Sequence, residues 1–145
     1  MKLSFFLIPK REVIFLSEHA TIRQALEKME HHQYTAIPLL GEDGRYKGTL
    51  TEGDLLWALH QCIGADIKKL EHMSIADIPK KMNPRVLHID EEIEDLFEIM
   101  LYQNFVPVMD DREIFIGIIR RREIIEYFSK NYRLKKLTAD NLCES

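Results

Sequence analysis

The chain carries the same succession of apolar and polar positions twice. In the first copy an apolar strand at residues 34–40 is followed by a polar turn at 41–44 and by a second strand that ends at 48–50. The matching stretches of the second copy are residues 104–109 and 117–119. Two strands joined by a tight turn are therefore predicted in each copy.

The two copies are related by a constant shift along the chain. Pro38 and Pro107 are 69 residues apart, and Gly48 and Gly117 are also 69 residues apart. Such a shift between matching landmarks is typical of an internal repeat. The chain is therefore expected to fold as two similar halves.

Helices flank the strands of each copy. A stripe of apolar residues at i, i+3, i+4 and i+7 predicts one helix behind the N-cap Thr21 and another that starts at Asp90. Later helices are expected from Asp54 to about His60, apolar on nearly every side, and from Arg122 onwards. The residues that form the two stripes are Ile22, Ala25, Leu26 and Met29, then Ile93, Leu96, Phe97 and Met100. The inward-facing residues expected in the last helix are Ile124, Ile125, Phe128 and Tyr132.

These elements, with a further strand expected at residues 13–16, predict an α/β fold of two strand–helix–strand–strand–helix repeats. Residues 1–72 hold the first repeat and a connector, residues 73–133 hold the second repeat, and residues 134–145 form a frayed polar tail. A half of about 60 residues is marginal alone and needs a cover for its sheet. The two halves are therefore expected to pack sheet to sheet with pseudo-twofold symmetry.

Composition argues against several classes of function. A net charge of −4 does not favour nucleic-acid binding, and no apolar run approaches the ~20 residues of a membrane-spanning helix. Cys62 and Cys143 lack metal-ligand spacing, which favours free thiols in a reducing compartment. We expect a cytoplasmic protein with neither a nucleic-acid nor a membrane partner.

The sequence has none of the common catalytic glycine or serine motifs. His31 and His32 are adjacent, so on a helix they point about 100° apart and are better explained as a solvated helix end than as metal ligands. We predict no catalytic residue, no metal site and no cofactor.

The junction between the second strand and its helix is a candidate binding motif in both copies. In the first copy Thr51 could donate to a phosphate and Asp54 could accept from sugar hydroxyls, or the two could simply cap the helix. In the second copy Arg120, Arg121 and Arg122 place three positive charges where they oppose the helix dipole. A solvated helix start is the alternative, but guanidinium groups match phosphate oxygens, so we expect a phosphate-bearing ligand.

The doubled pattern resembles the tandem CBS (cystathionine-β-synthase) domain pair over about residues 8–132. The resemblance rests on residues 34–38, on the segment 48–54 and on their second-copy counterparts. It implies a non-enzymatic module that binds adenosine nucleotides between its halves, with Asp54 on the ribose and Thr51 on a phosphate.

The second copy departs from this motif, because Arg120 takes the Thr position and Glu123 takes the Asp position. With its tandem arginines, the layout is similar to that of small stand-alone CBS proteins of Gram-positive bacteria, which are receptors for cyclic di-AMP. That resemblance implies that Arg121 and Arg122 hold phosphate. Glu12 stands where some of those proteins carry lysine. The residues implied to hold an adenine are Ile14, Tyr34, Thr35 and Ala36.

The leading hypothesis is therefore a cyclic di-AMP receptor that regulates an unidentified partner protein. A sensor of AMP, ADP or ATP is the alternative that Thr51 and Asp54 favour, and a structural scaffold with degenerate sites is a third. A homodimer is also expected, because the apolar helix 54–60 and the apolar residues of the last helix exceed what two sheets can cover.

Overall fold

Two sheets form the centre of this computed structural model, which describes residues 1–80 and 84–144. The first sheet has the strand order β2-β3-β4, and the second has the order β1-β7-β6-β5. The strands are β1 (Ile8–Pro9), β2 (Leu16–Ser17), β3 (Ala36–Leu40), β4 (Tyr46–Thr51), β5 (Leu87–His88), β6 (Phe105–Met109) and β7 (Phe115–Arg120). The helices are α1 (Ile22–His32), α2 (Glu52–Gln61), α3 (Ile67–Glu71), α4 (Ile93–Met100) and α5 (Arg121–Glu144).

The strand register confirms the internal repeat. Leu16 of β2 lies opposite Leu39 of β3 in a parallel pair, and Leu87 of β5 lies opposite Val108 of β6 in the same way. In both halves an antiparallel partner, β4 or β7, completes the motif. The predicted α/β fold of two repeats is therefore confirmed.

The two sheets meet face to face around a shared apolar cluster, as predicted. Val13 and Leu40 from the first half and Phe115 from the second are buried together. The two hairpin turns also touch, because the amide of Phe115 donates to the carbonyl of Gly44 at 3.1 Å. The cluster fixes how the halves sit relative to one another and therefore shapes the clefts between them.

Helix α1 shows how the local sequence sets an element. Thr21 forms a capping box with Gln24, as its amide donates to Gln24 Oε1 at 3.0 Å and its hydroxyl oxygen accepts from the Gln24 amide at 3.2 Å. The predicted N-cap is confirmed. Helix α4, by contrast, begins at Ile93 behind Glu92 rather than at Asp90.

The predicted apolar stripes are buried in part. Most of their residues face the core, but Leu26 of α1 and Phe97 of α4 are about 40% exposed at equivalent positions. In the last helix only Ile124 is fully buried, and the prediction that its other apolar residues face inward is wrong. Those exposed residues are Ile125, Phe128 and Tyr132. An apolar face therefore lies on the outside of both halves.

The leading segment of each repeat packs on the other half of the molecule, which the sequence did not predict. Leu3 and Phe6 are buried in the core of the second half, and β1 pairs antiparallel with β7. In the matching way, Ile75 and Ile78 are buried in the core of the first half. We call this arrangement the reciprocal exchange; it carries residues 12–14 past the space between the halves.

The strand expected at residues 13–16 is mostly irregular. Lys10–Glu12 is a 3-10 turn, and β2 starts only at Leu16. The chain needs this irregular stretch because it crosses from the second sheet to the first between β1 and β2.

The last helix is longer than predicted. Residues 134–144, expected as a frayed tail, continue α5 to Glu144, and residue 145 lies outside the described part. This segment has no glycine or proline to end a helix and is rich in Leu, Lys and Ala, which favour one. No helix in the described residues is long and apolar enough to cross a membrane.

One exposed ion pair gives a pH-dependent prediction. Glu113 adopts a left-handed φ of 64° at the turn position where the first half has Gly44, with φ 80°. Its carboxylate contacts His88 Nε2 at 2.5 Å. This hydrogen bond raises the pKa of His88 above its ordinary value.

The charged form of His88 therefore stabilises the fold below its ordinary pKa of about 6.5, and this contribution is lost as the pH rises through the raised value. We expect Glu113→Gln to lower the His88 titration midpoint measured by NMR, and to reduce stability more in mildly acidic than in alkaline buffer. Glu91→Gln is the control, because Glu91 lies 3.8 Å from the ring and should change the midpoint less. Equal midpoints in wild type and Glu113→Gln would contradict the assignment.

Candidate functional site

A cavity of about 500 Å³ opens between the two halves, and we call it the first cleft. Its walls come from the crossing segment, from the start of β3, and from the junction of β7 and α5. The structure therefore brings together five of the predicted residues from distant parts of the sequence. These residues are Ile14, Tyr34, Thr35, Ala36 and Arg120, and Glu12 and Glu123 are also in the wall.

One end of the first cleft offers an open backbone edge. The N–H and C=O groups of Ile14 have no hydrogen-bond partner among residues 1–80 and 84–144. Tyr34 stands beside it, 38% exposed, with its ring stacked 5.5 Å from that of His32. Ala36 leaves room for a flat ring because its side chain is a single methyl group. A planar group with a donor and an acceptor on one edge would complement Ile14.

The other end of the first cleft is charged. Arg120 ends β7, and its Nε donates to Oε2 of Glu123 at 3.0 Å, while a second guanidinium nitrogen contacts Oε1. The carboxylate therefore occupies the guanidinium fork that a phosphate would otherwise bind. Glu12 adds a second carboxylate to the wall.

Arg121 and Arg122 line a neighbouring hollow of about 470 Å³, which shares Arg120 and Asn104 with the first cleft. The Nε of Arg121 is enclosed and has no hydrogen-bond partner in the described residues. The Arg122 side chain is 82% exposed and its Nε donates to Glu126 at 3.1 Å. The three arginines therefore span two adjacent hollows rather than one.

Thr51 lies in a different place, a smaller cavity of about 300 Å³ that we call the second cleft. It is the counterpart of the first, because it combines the first-copy Thr51 with second-copy residues 103–105. The Thr51 hydroxyl accepts from the Asp54 amide at 3.1 Å, and the Asp54 carboxylate accepts from the Thr51 amide at 2.9 Å. The capping interpretation is thus observed, and the structure does not bring these two residues to Ile14 or Arg120.

Sequence reasoning missed Gln103, which stands in the second copy where the first has Tyr34. Its Oε1 accepts from the Arg85 amide at 2.6 Å, and its Nε2 donates to the Arg85 carbonyl at 3.1 Å. Nε2 also lies 3.2 Å from the carbonyl of Phe105. The shift of 69 residues from Tyr34 was the signal that could have drawn attention to it.

The described residues contain no group of three or more His, Cys, Asp or Glu side chains that could hold a metal ion. The chemistry of the first cleft is therefore that of hydrogen bonding, ring stacking and charge pairing.

Comparison with known proteins matches both halves of the chain. Residues 7–61 and 75–130 each match the family model of the CBS domain. The cyclic di-AMP receptor B of Bacillus subtilis (strain 168) is 26% identical over 128 residues, which cover 88% of this chain and 86% of that protein.

Solved structures share the architecture. The Listeria monocytogenes CbpB protein in complex with c-di-AMP has a TM-score of 0.79 at 20% identity and covers 91% of this chain and 98% of that one. CBSX2 in complex with AMP has a TM-score of 0.73 at 20% identity and covers 90% and 98%. At such identities the likeness shows the fold.

Proposed function

Because the chain belongs to the CBS domain family, we propose that it is a non-enzymatic nucleotide sensor whose ligand is cyclic di-AMP, bound in the first cleft. The observation that carries the proposal is the pairing of two unlike ends in one cavity. The open backbone edge of Ile14 suits an adenine, and Arg120 suits a phosphate.

The arrangement of the arginines supports a ligand with two phosphates. Arg120 serves the first cleft, while Arg121 and Arg122 line the hollow beside it. A cyclic dinucleotide carries two phosphodiesters on one ring and could reach both hollows. The cyclic di-AMP named in the relatives of Bacillus and Listeria is consistent with this geometry.

A sensor of AMP, ADP or ATP is the second candidate. The intact Thr51 and Asp54 favour it, as does the AMP named for the related CBSX2 structure. Such a ligand would use the second cleft, where Thr51 lies. A scaffold with degenerate sites is the third candidate, and it would bind no nucleotide in either cleft.

A calorimetric panel of cyclic di-AMP, AMP, ADP and ATP tests these alternatives. We expect cyclic di-AMP to bind most tightly, and we expect Ala36→Leu to weaken its binding at least tenfold because the larger side chain fills the space for the ring. Ala139→Leu is the control, since Ala139 is exposed on α5 and should leave the affinity unchanged. Wild-type affinity in Ala36→Leu would place the base elsewhere.

We also propose that the protein is a homodimer and acts in the cytoplasm on a partner protein, which the loaded and empty forms bind differently. The helices present a large apolar surface, with Leu56 62% exposed, Trp57 49% and Ile125 58%. A surface of this kind usually marks an interface, and a twofold contact is the usual choice for small soluble oligomers.

The dimer is tested by light scattering across a dilution series. Wild type should show twice the mass of one chain, and Trp57→Glu or Phe128→Glu should yield monomers or aggregates because a charge would be buried in the contact. Leu137→Glu, also at an exposed apolar position but beyond the repeat, is the matched control. A wild-type mass of one chain at tens of micromolar would rule out the dimer.

A further inference from the structure

The backbone edge of Ile14 has an exact structural counterpart in the second half, and it is occupied. Ile14 lies two residues before Leu16, and Arg85 lies two residues before Leu87, which are equivalent in the strand register. At Ile14 the N–H and C=O groups are open to the first cleft. At Arg85 both groups are bonded to one side-chain amide.

The Gln103 amide satisfies this edge as a nucleobase would. A carboxamide presents one acceptor and one donor in a plane, and adenine presents an acceptor nitrogen beside its exocyclic amine. The contacts of 2.6 Å and 3.1 Å to Arg85, with a further contact of 3.2 Å to Phe105, leave this edge without a free donor. A base that enters the second cleft must first displace the amide.

We infer that Gln103 is a built-in occupant of the second cleft, and that the difference between Tyr34 and Gln103 decides which cleft accepts a nucleotide. The phenol ring of Tyr34 cannot make the paired amide contacts, so the first cleft stays open. Each chain therefore binds one nucleotide. The inference rests on the proposed function, since it takes the first cleft as the loaded site.

Exchanging the two side chains tests the inference by calorimetry with cyclic di-AMP and AMP. Wild type should bind one equivalent of nucleotide per chain. Gln103→Ala should gain a second equivalent of AMP, because Thr51 already lines the opened cleft. Gln103→Tyr should do the same and is the second variant, since the fold already accommodates tyrosine at the equivalent position 34.

Tyr34→Gln is the reciprocal change. It should install the amide against Ile14 and weaken binding in the first cleft at least tenfold more than Tyr34→Ala, which removes the ring without adding a plug. Equal losses in the two Tyr34 variants would overturn the inference, as would two equivalents bound by wild type or one equivalent bound by folded Gln103→Ala and Gln103→Tyr.

These outcomes are separable from failure of the proposed function. If wild type binds no nucleotide, the proposed function is wrong, but AMP binding gained by Gln103→Ala would still support the role of Gln103. If wild type binds two equivalents, the nucleotide sensor stands and the role of Gln103 is wrong.

Discussion

Gly117→Ala should destabilise the protein strongly, whereas the same substitution at Gly48 should cost much less. The two glycines are equivalent in the repeat and have similar backbone angles, with φ 157° and 139°. A Cβ on Gly117 would lie 2.1 Å from the carbonyl oxygen of Ile8, whereas a Cβ on Gly48 would have nothing within 4 Å. The steric cost therefore falls on one half only.

The difference can be measured because the two variants share the backbone penalty. Overpacking of this kind costs about 1–3 kcal/mol, so the Tm of Gly117→Ala should fall several degrees below that of Gly48→Ala. The clash should also push β1 away from β7, which limited proteolysis near residue 8 would detect. Equal Tm values and equal protease resistance would show that β1 does not approach Gly117 so closely.

Removing the Arg120 guanidinium should weaken binding of cyclic di-AMP at least tenfold, and so should Arg121→Ala. A charge-assisted hydrogen bond contributes about 1.5–3 kcal/mol, and about 1.4 kcal/mol corresponds to a tenfold change. Arg122→Ala should cost less, because its side chain is 82% exposed and paired with Glu126. Arg23→Ala is the control, since Arg23 forms a remote exposed pair with Glu27.

Glu123→Gln should change affinity in the opposite direction. The Glu123 carboxylate holds the fork of Arg120, so a phosphate must compete with it. Neutralising the carboxylate removes that competitor and should tighten binding. Calorimetry at two salt concentrations checks both effects, because the contribution of exposed charges weakens as salt rises. Unchanged affinity in both Arg120→Ala and Arg121→Ala would place the phosphates elsewhere.

Local pattern was enough to predict the two halves, because apolar periodicity reports which face of an element is buried. The stripe of α1, the Thr21 cap and the paired strands around Gly48 and Gly117 are all local features. Sequence also predicted five of the residues that meet in the first cleft, although through a family resemblance rather than through spacing.

What the sequence did not predict depends on contacts between distant segments. Thr51 and Arg120 sit at equivalent positions, yet they line different clefts, because each cleft takes its strand start from one half and its helix start from the other. Gln103 reads as a polar residue at a strand start until the Arg85 backbone is seen beside it. Neither fact has a periodicity that a sequence could display.

The reciprocal exchange has a consequence for how the chain folds during synthesis. Leu3 and Phe6 leave the ribosome first, but the core that buries them includes Ile119 and Ile124, which leave it near the end. Contacts between such distant positions raise the contact order and slow folding, since a long loop must close before they form. The first half cannot finish its own assembly ahead of the second, so the two halves are expected to become native in one late, cooperative step.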